Sequence, residues 1–445
     1  MATPVPEVEA CVVGGGLGAL MAHTALRFRG LGCEDVAVVG AHDDPFATYR
    51  RHAWGVGQRV TYADPLGHFL PADWPGPAVL DVVARPGMAS LRRLAGGGPA
   101  AGVADTVAQA RAVARRLGYV RSFTRRVVAD VVRATGPAGP HFGVYADDGA
   151  LVLRARHVLL ALGHGPPVFP PVLDAARGHP LMRDRGVHAY EPKRYVRGGR
   201  YLVIGAGLAA VNEWVNALAA GAECIAVRRP DVEGEDLGAP QCLFEALGID
   251  AYSGLTHDQR LGILGRVLRG ATASGDAWRT AVIRGHHDGR FREVVGEVTS
   301  VAPGPSGLVA DCALAAGGDT GPLHVTGVTV ATGFDADPRA VPLLARLVLR
   351  HAPPMTGGRL ALPGNCGLVP VDQPASRLCV AGFHAALAVP HADTLAGLKY
   401  VARRFADDVV RARGGRGRGV GSRARMHAAC VGSALGDLRR TPVTA

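Results

Sequence analysis

Cys11-Val12-Val13-Gly14-Gly15-Gly16-Leu17-Gly18-Ala19-Leu20 is the stretch on which the fold turns. The apolar run Val8 to Val13 reads as a short buried strand, and Leu17 to Phe28 reads as a helix. Between them, Gly14, Gly16 and Ala19 fit the pattern G-x-G-x-x-G/A. The first glycine permits a tight turn, the second lets a pyrophosphate approach the helix N-terminus, and the small third residue lets helix and sheet pack closely. One such turn is equally at home as a plain strand-to-helix connection. Its flanks favour a nucleotide site, and so does a second copy.

That copy is Arg200-Tyr201-Leu202-Val203-Ile204-Gly205-Ala206-Gly207-Leu208-Ala209-Ala210. Gly205, Gly207 and Ala210 take the three small positions. A helix runs on through Trp214 and Leu218, and Glu223 to Val227 makes the next strand. This strand ends in Arg228-Arg229, where two guanidiniums suit a 2′-phosphate; in an arginine-rich chain they also read as solvated loop residues. The matching strand of the first copy, Asp35 to Val39, ends in Gly40 where an acid usually takes the ribose hydroxyls. Asp43 and Asp44 follow and could substitute, or could simply cap a turn before Pro45.

The 445 residues provide for two or three domains, and 48% hydrophobic with 20% charged residues describes a globular chain. No apolar run reaches the roughly 18 residues of a membrane span, and Glu7 and Glu9 precede the first strand without a basic leader, so a cytoplasmic location is expected. The net charge of +11 is nearly all arginine, since Lys193 and Lys399 are the two lysines. Its spread along the chain suits anionic cofactors better than nucleic acid. The 8 cysteines include no C-x-x-C, which argues against a dithiol centre, a zinc site or a disulfide framework. His286 and His287 lack neighbouring ligands at metal spacing, and no metal is expected.

Elsewhere, Phe46 to Pro77 is rich in aromatic residues, histidine and proline, and reads as an irregular pocket-building excursion. Helices are expected over Thr106–Leu117 and Asp258–Leu268. Strands are expected at Val127–Val132, His141–Tyr145, Thr280–Ile283 and Glu293–Val298. His157 to Gly163 and His324 to Phe334 are buried strands with glycine exits. Leu378 to Gly382 is a third short strand, and a C-terminal helix runs through Val410, with Asp393 or Thr394 at its start. From Gly414 the chain is an Arg/Gly-rich tail expected to be disordered.

Two nucleotide turns in one chain suggest a hydride donor and acceptor held face to face. Through Gly14-x-Gly16-x-x-Ala19, Gly205-x-Gly207-x-x-Ala210, Arg228-Arg229 and Ala331-Thr332-Gly333-Phe334, the chain resembles the two-dinucleotide-binding-domain flavoproteins, in their flavin-containing and N-hydroxylating monooxygenase branch. Ala161-Leu162-Gly163 looks like an earlier counterpart of the A-T-G link, and Pro390 to Gly397 resembles the turn that approaches the flavin. The resemblance implies an α/β fold of two Rossmann-like domains, the NADPH domain (195–322) inserted into a discontinuous FAD domain (1–194 and 323–412), with a tail over 413–445. It implies FAD and NADPH as cofactors, a small organic substrate with dioxygen, and oxygenation through a C4a-(hydro)peroxyflavin. Neither nucleic acid nor membrane is an expected partner, and a homodimer stays open.

The cofactor-binding candidates are Gly14, Gly16, Gly18, Ala19, Asp43, Gln58, Arg59, Gly205, Gly207, Ala210, Arg228, Arg229, Thr332, Gly333, Pro390, Asp393 and Thr394. Gln58-Arg59-Val60 stands where relatives often have a Met-Arg-Ser-like flavin contact. His384 and His391 are the candidates for proton traffic, by virtue of the histidine pKa. Two rival readings remain: a flavin reductase or oxidase without oxygen insertion, and a nucleotide-binding scaffold that has lost flavin chemistry.

Overall fold

The computed structural model describes residues 5–58, 88, 103–137, 139–229, 243, 246–266 and 276–415. Arg59, the rest of the excursion to Pro77, and most of the Arg/Gly-rich tail lie outside them.

The chain folds as two Rossmann-like α/β units. The first sheet holds β1 (Glu7–Val13), β2 (Val36–Gly40), β3 (Phe123–Arg125), β4 (Val128–Gly136), β5 (Gly139–Ala146) and β6 (Leu151–Leu160), in the order β3-β2-β1-β6-β5-β4. β1 runs parallel to β2 and β6, pairing Val13 with Val39 and Leu160. The Leu378–Val380 strand, from the far end of the chain, joins parallel to β6. Helix α1 (Leu17–Arg29) and the last long helix, Leu395–Ala412, cover this sheet. One core therefore takes Val12, Leu159, Val380 and Phe405 from both ends of the sequence.

The second sheet holds β7 (Gly186–His188), β8 (Arg200–Ile204), β9 (Glu223–Arg228), β10 (Phe291–Pro303), β11 (Leu308–Leu314), β12 (Leu323–Val325) and β13 (Gly327–Val330). Its order is β12-β11-β10-β9-β8-β13-β7. β10 does two jobs: Phe291 to Val295 pair parallel with β9, and Gly296 to Pro303 pair antiparallel with β11. No helix among the described residues is long and apolar enough to cross a membrane.

Two local expectations are corrected. Residues Thr280 to Ile283 belong to a helix, Asp276–His287, not a strand. Trp278 and Val282, four apart, pack on the second unit while Ile283 is exposed, which is a helical period that a four-residue apolar window conceals. The excursion after Pro45 opens with helix α2 (Ala47–Gly55), started where the Asp44 carboxylate accepts the Phe46 N–H at 3.0 Å. Helices Ala246–Ser253 and His257–Arg266, although between β9 and β10 in sequence, dock on the first unit. Ile249 joins its core, Tyr252 donates to the Ala386 carbonyl at 3.0 Å, and the buried Arg260 guanidinium donates to the Leu387 carbonyl at 2.9 Å.

Candidate nucleotide sites and their junction

At the first turn the chain leaves β1 into the mouth between β2 and β6. Gly14 donates to the Val39 carbonyl and Ala161 to the Val13 carbonyl, each at 2.8 Å. Gly14 has φ +129°, and a Cβ there would stand 2.2 Å from the Ala161 carbonyl oxygen. Only glycine satisfies both conditions. Gly16 caps α1 with nothing within 4 Å of where its Cβ would be, and the first turn of α1 carries no acid. That leaves open space at the positive end of a helix, which suits an anion. Gly18 lies against Ala161 and the side chain of Leu398, and Ala19 is fully buried, so the helix sits tight on the sheet.

Beyond the turn the usual pattern stops. A Cβ on Gly40 would fall 2.6 Å from the Gly15 nitrogen, so the backbone of the turn has closed over the place where an acid would stand. Asp44 is committed elsewhere, to the Phe46 N–H, to Arg111 at 3.0 Å and to Arg50. Asp43 is exposed beside it. Gln58 follows α2, its N–H donating to the Ala53 carbonyl at 2.7 Å.

The second turn repeats the first. Gly205 has φ +130°, and its Cβ would lie 2.4 Å from the Ala331 carbonyl oxygen. Gly207 caps helix α3 (Leu208–Ala219), again with nothing within 4 Å, and Ala210 is fully buried. Here the second strand ends in Arg228, half-buried, whose Nε donates to Glu293 at 2.5 Å, followed by the exposed Arg229. Ala161 and Ala331, the two carbonyls that wedge the turns, begin the two matching links. Gly163 and Gly333 carry φ +78° and +84°. Thr332 donates to the Val168 carbonyl at 2.5 Å and Gly333 accepts from the Val168 N–H at 3.0 Å, which ties the two links together.

The two links lead into one stack of rings. His164, immediately after Gly163, stacks on Phe334, immediately after Gly333, at 4.3 Å between centroids. Phe334 stacks on Tyr190 at 5.2 Å and 12°, and Tyr190 meets His52 of α2 at 4.6 Å. His164 also reaches Asp393 at 3.4 Å, at the start of the C-terminal helix. Thr394 caps that helix through Gly397 N–H at 3.3 Å, and the His391 carbonyl accepts from the Thr394 N–H and hydroxyl, each at 2.8 Å. Pro390 is buried behind this turn.

His384 is buried and burial pushes its pKa down to about 4, so it is neutral at pH 7. Burial also lowers His391, against the pull of the Asp393 carboxylate. For Asp393 itself burial works against the charge, but the His164 hydrogen bond and charge outweigh it and hold the carboxyl below its ordinary range. His52, His164, Tyr190 and Phe334 are not among the candidates that the sequence supplies. A signal exists for two of them: His164 and Phe334 each directly follow a glycine exit, and the repeat pairs those exits.

No protein-family model matches the chain, and no curated protein matches its sequence. Solved structures do match in fold. Ornithine hydroxylase from Pseudomonas aeruginosa aligns with a TM-score of 0.65 at 16% identity, over 92% of this chain and 100% of that one. The ornithine N-hydroxylase of Kutzneria sp. 744, solved with reduced FAD, NADP+ and L-ornithine, aligns with a TM-score of 0.65 at 15% identity, over 92% and 100%. Bacillithiol disulfide reductase from Bacillus cereus aligns with a TM-score of 0.53 at 12% identity, over 91% and 99%. The chain thus has the two-unit fold shared by these enzymes.

Proposed function

We propose that this chain, with the fold of the N-hydroxylating flavin monooxygenases, is an FAD- and NADPH-dependent monooxygenase that oxygenates a small organic amine. One observation carries the reading: two glycine turns built alike, each wedged by an alanine carbonyl and each leaving an open helix N-terminus, with the two matching links meeting in the ring stack. FAD is assigned to the first turn and NADPH to the second by chain order and by Arg228 and Arg229 after β9. On this reading the insertion of residues 195–322 carries the NADPH turn within an FAD part made of 1–194 and 323–412; β7, β12 and β13 from the flanking segments complete its sheet, and the helices over 246–266 lean on the FAD part.

The residues present fit the pyrophosphate of FAD at Gly14 to Ala19 and do not supply the ribose acid, because Gly40 has no room for one. When bound, FAD would accept hydride from NADPH and activate dioxygen. The protein's own share is positional. Gly16 and Gly207 present helix N–H groups to the two pyrophosphates. Arg229, with Arg228 braced by Glu293 beside it, takes the 2′-phosphate. Thr332, Gly333, Pro390, Asp393 and Thr394 shape the junction beside the packed rings. His384 and His391, buried beside that junction and with pKa values lowered by burial, are the groups assigned to proton traffic.

L-Ornithine, present in the Kutzneria structure, is the primary amine to try first; lysine and cadaverine are others named for proteins of this fold. The test is NADPH-driven oxygen consumption with product analysis. Hydroxylated amine in proportion to NADPH supports the reading. Hydrogen peroxide alone with every amine favours an oxidase, and oxidation of NADPH by a disulfide favours the reductase chemistry that the same fold also hosts.

A further inference from the structure

Lys193 is almost buried, with a side chain 9% exposed, in the segment that leads from the first unit into the second. Its ammonium donates to three carbonyls and pairs with one carboxylate oxygen, drawn from three parts of the chain. They are the Gly55 carbonyl at the end of α2 (2.7 Å), the Ala189 carbonyl, the Glu191 carbonyl (3.3 Å), and Glu213 Oε1 of α3 (2.9 Å). Glu213 is fully buried, and its other oxygen accepts from the Tyr195 hydroxyl at 2.6 Å, which in turn contacts the Thr329 hydroxyl at 3.0 Å. Burial lowers Lys193 and raises Glu213, and their mutual attraction opposes both shifts.

The residue between Ala189 and Glu191 is Tyr190, so the peptide carbonyls on both sides of that ring converge on one ammonium. Gly55 packs so closely on this segment that its Cβ would lie 2.8 Å from the Tyr190 carbonyl oxygen. A second tie crosses the same gap, from Asn216 Nδ2 of α3 to the Val56 carbonyl at 2.9 Å. An apolar pair could fill the volume of Lys193 and Glu213 without the desolvation cost. It could not gather three carbonyls and a carboxylate from three segments at one point.

We infer that Lys193 is a positioning residue, which fixes the Tyr190 ring between the two nucleotide sites and so sets how the NADPH unit meets the FAD unit. The inference rests on the two-nucleotide reading above, but its first readout does not. In Lys193→Met, amide hydrogen exchange should rise about tenfold in peptides covering residues 53–58 and 186–195 and stay unchanged in β1 and β8. In rapid mixing of the flavin-loaded protein with NADPH, the limiting rate of flavin reduction should fall about tenfold while the NADPH dissociation constant stays within about twofold. A residue with a merely stabilising role would not split rate from affinity in this way.

Asn216→Ala should show both changes in the same direction and smaller size, and it carries the test if Lys193→Met does not accumulate as folded protein. Arg200→Ala, which removes the Arg200–Glu223 contact at 2.6 Å inside the second unit, should show neither. Unchanged exchange in both peptides overturns the inference. So does faster exchange with an unchanged limiting rate, or an equal loss of rate and affinity. If the protein takes up no flavin, the functional reading falls on its own, and the exchange measurement still decides whether Lys193 holds Tyr190.

Discussion

Where a Gly14 Cβ would sit at the first turn there is the Ala161 carbonyl, and where a Gly205 Cβ would sit at the second there is the Ala331 carbonyl. The two open helix starts, Gly16 and Gly207, match as well. The turns diverge one strand later. β2 ends in Gly40, pressed against the Gly15 nitrogen at a would-be 2.6 Å, and β9 ends in Arg228, held by Glu293 with Arg229 beyond it. The pyrophosphate part of a dinucleotide is read by backbone and tolerates any side chain beyond it. The adenosine end is read by side chains, and there the two sites have become different.

The largest effect on the shared part is expected from Gly14→Ala. Positive φ and the Ala161 carbonyl together should cost about 4 kcal/mol, visible as loss of flavin from the purified protein with NADPH binding retained. Gly205→Ala should give the reverse pattern, measured by titration calorimetry. If either substitution removes both nucleotides, the two sites are not independent and the parallel between them fails.

The units should also differ in acid. Burial pushes His384, His52 and His157 down to about 4 and His23 to about 3, all in the first unit; in the second, burial lowers His188 of β7, while His286, His287 and His324 are exposed. A folded pKa below the unfolded value near 6.5 means that the unfolded chain takes up the proton first. Stability is therefore full above about pH 6.5 and falls as the pH drops toward the folded pKa near 4. His384 alone should contribute about 2–3 kcal/mol across that window. Hydrogen exchange at pH 5 should show the first unit opening before the second, and His384→Gln should flatten the dependence of Tm on pH. Equal acid lability of the two units would contradict the assignment.

Gly40→Glu probes the divergence at a single residue. In a dinucleotide site of the usual shape a carboxylate there would improve ribose binding. Here the displaced Gly14–Gly15 backbone should cost about 2 kcal/mol, lowering both Tm and FAD affinity. The smallest expected effect is at the second site. Arg229→Ala should raise KM for NADPH about tenfold and leave that for NADH unchanged. Arg228→Ala should do less, because its guanidinium is shared with Glu293.

Both turns, their strands and their order are legible in the sequence, because glycine spacing after an apolar run reports backbone conformation directly. Gly40 is legible only as a missing acid. That it must be small is a fact about the path of Gly14 and Gly15, which no local pattern encodes. The helix at Asp276–His287 reads as a strand because Thr280 to Ile283 is a short apolar, β-branched run that hides the helical period, and the ring stack escapes a sequence reading because His52, His164, Tyr190 and Phe334 come from four separate segments. Their convergence is tertiary. Lys193 is one of two lysines in the chain, yet only the fold shows that three segments point their oxygens at it.

The proposed function depends on one chain holding two different dinucleotides, FAD at Gly14 and NADPH at Gly205. The decisive observation is the visible spectrum of the purified protein, recorded before and after anaerobic addition of NADPH. Bands at about 370 and 450 nm are expected, bleaching with NADPH faster than with NADH and missing from Gly14→Ala. A protein that stays colourless after incubation with FAD, or a bound flavin that NADPH leaves oxidised, would contradict the two-nucleotide assignment.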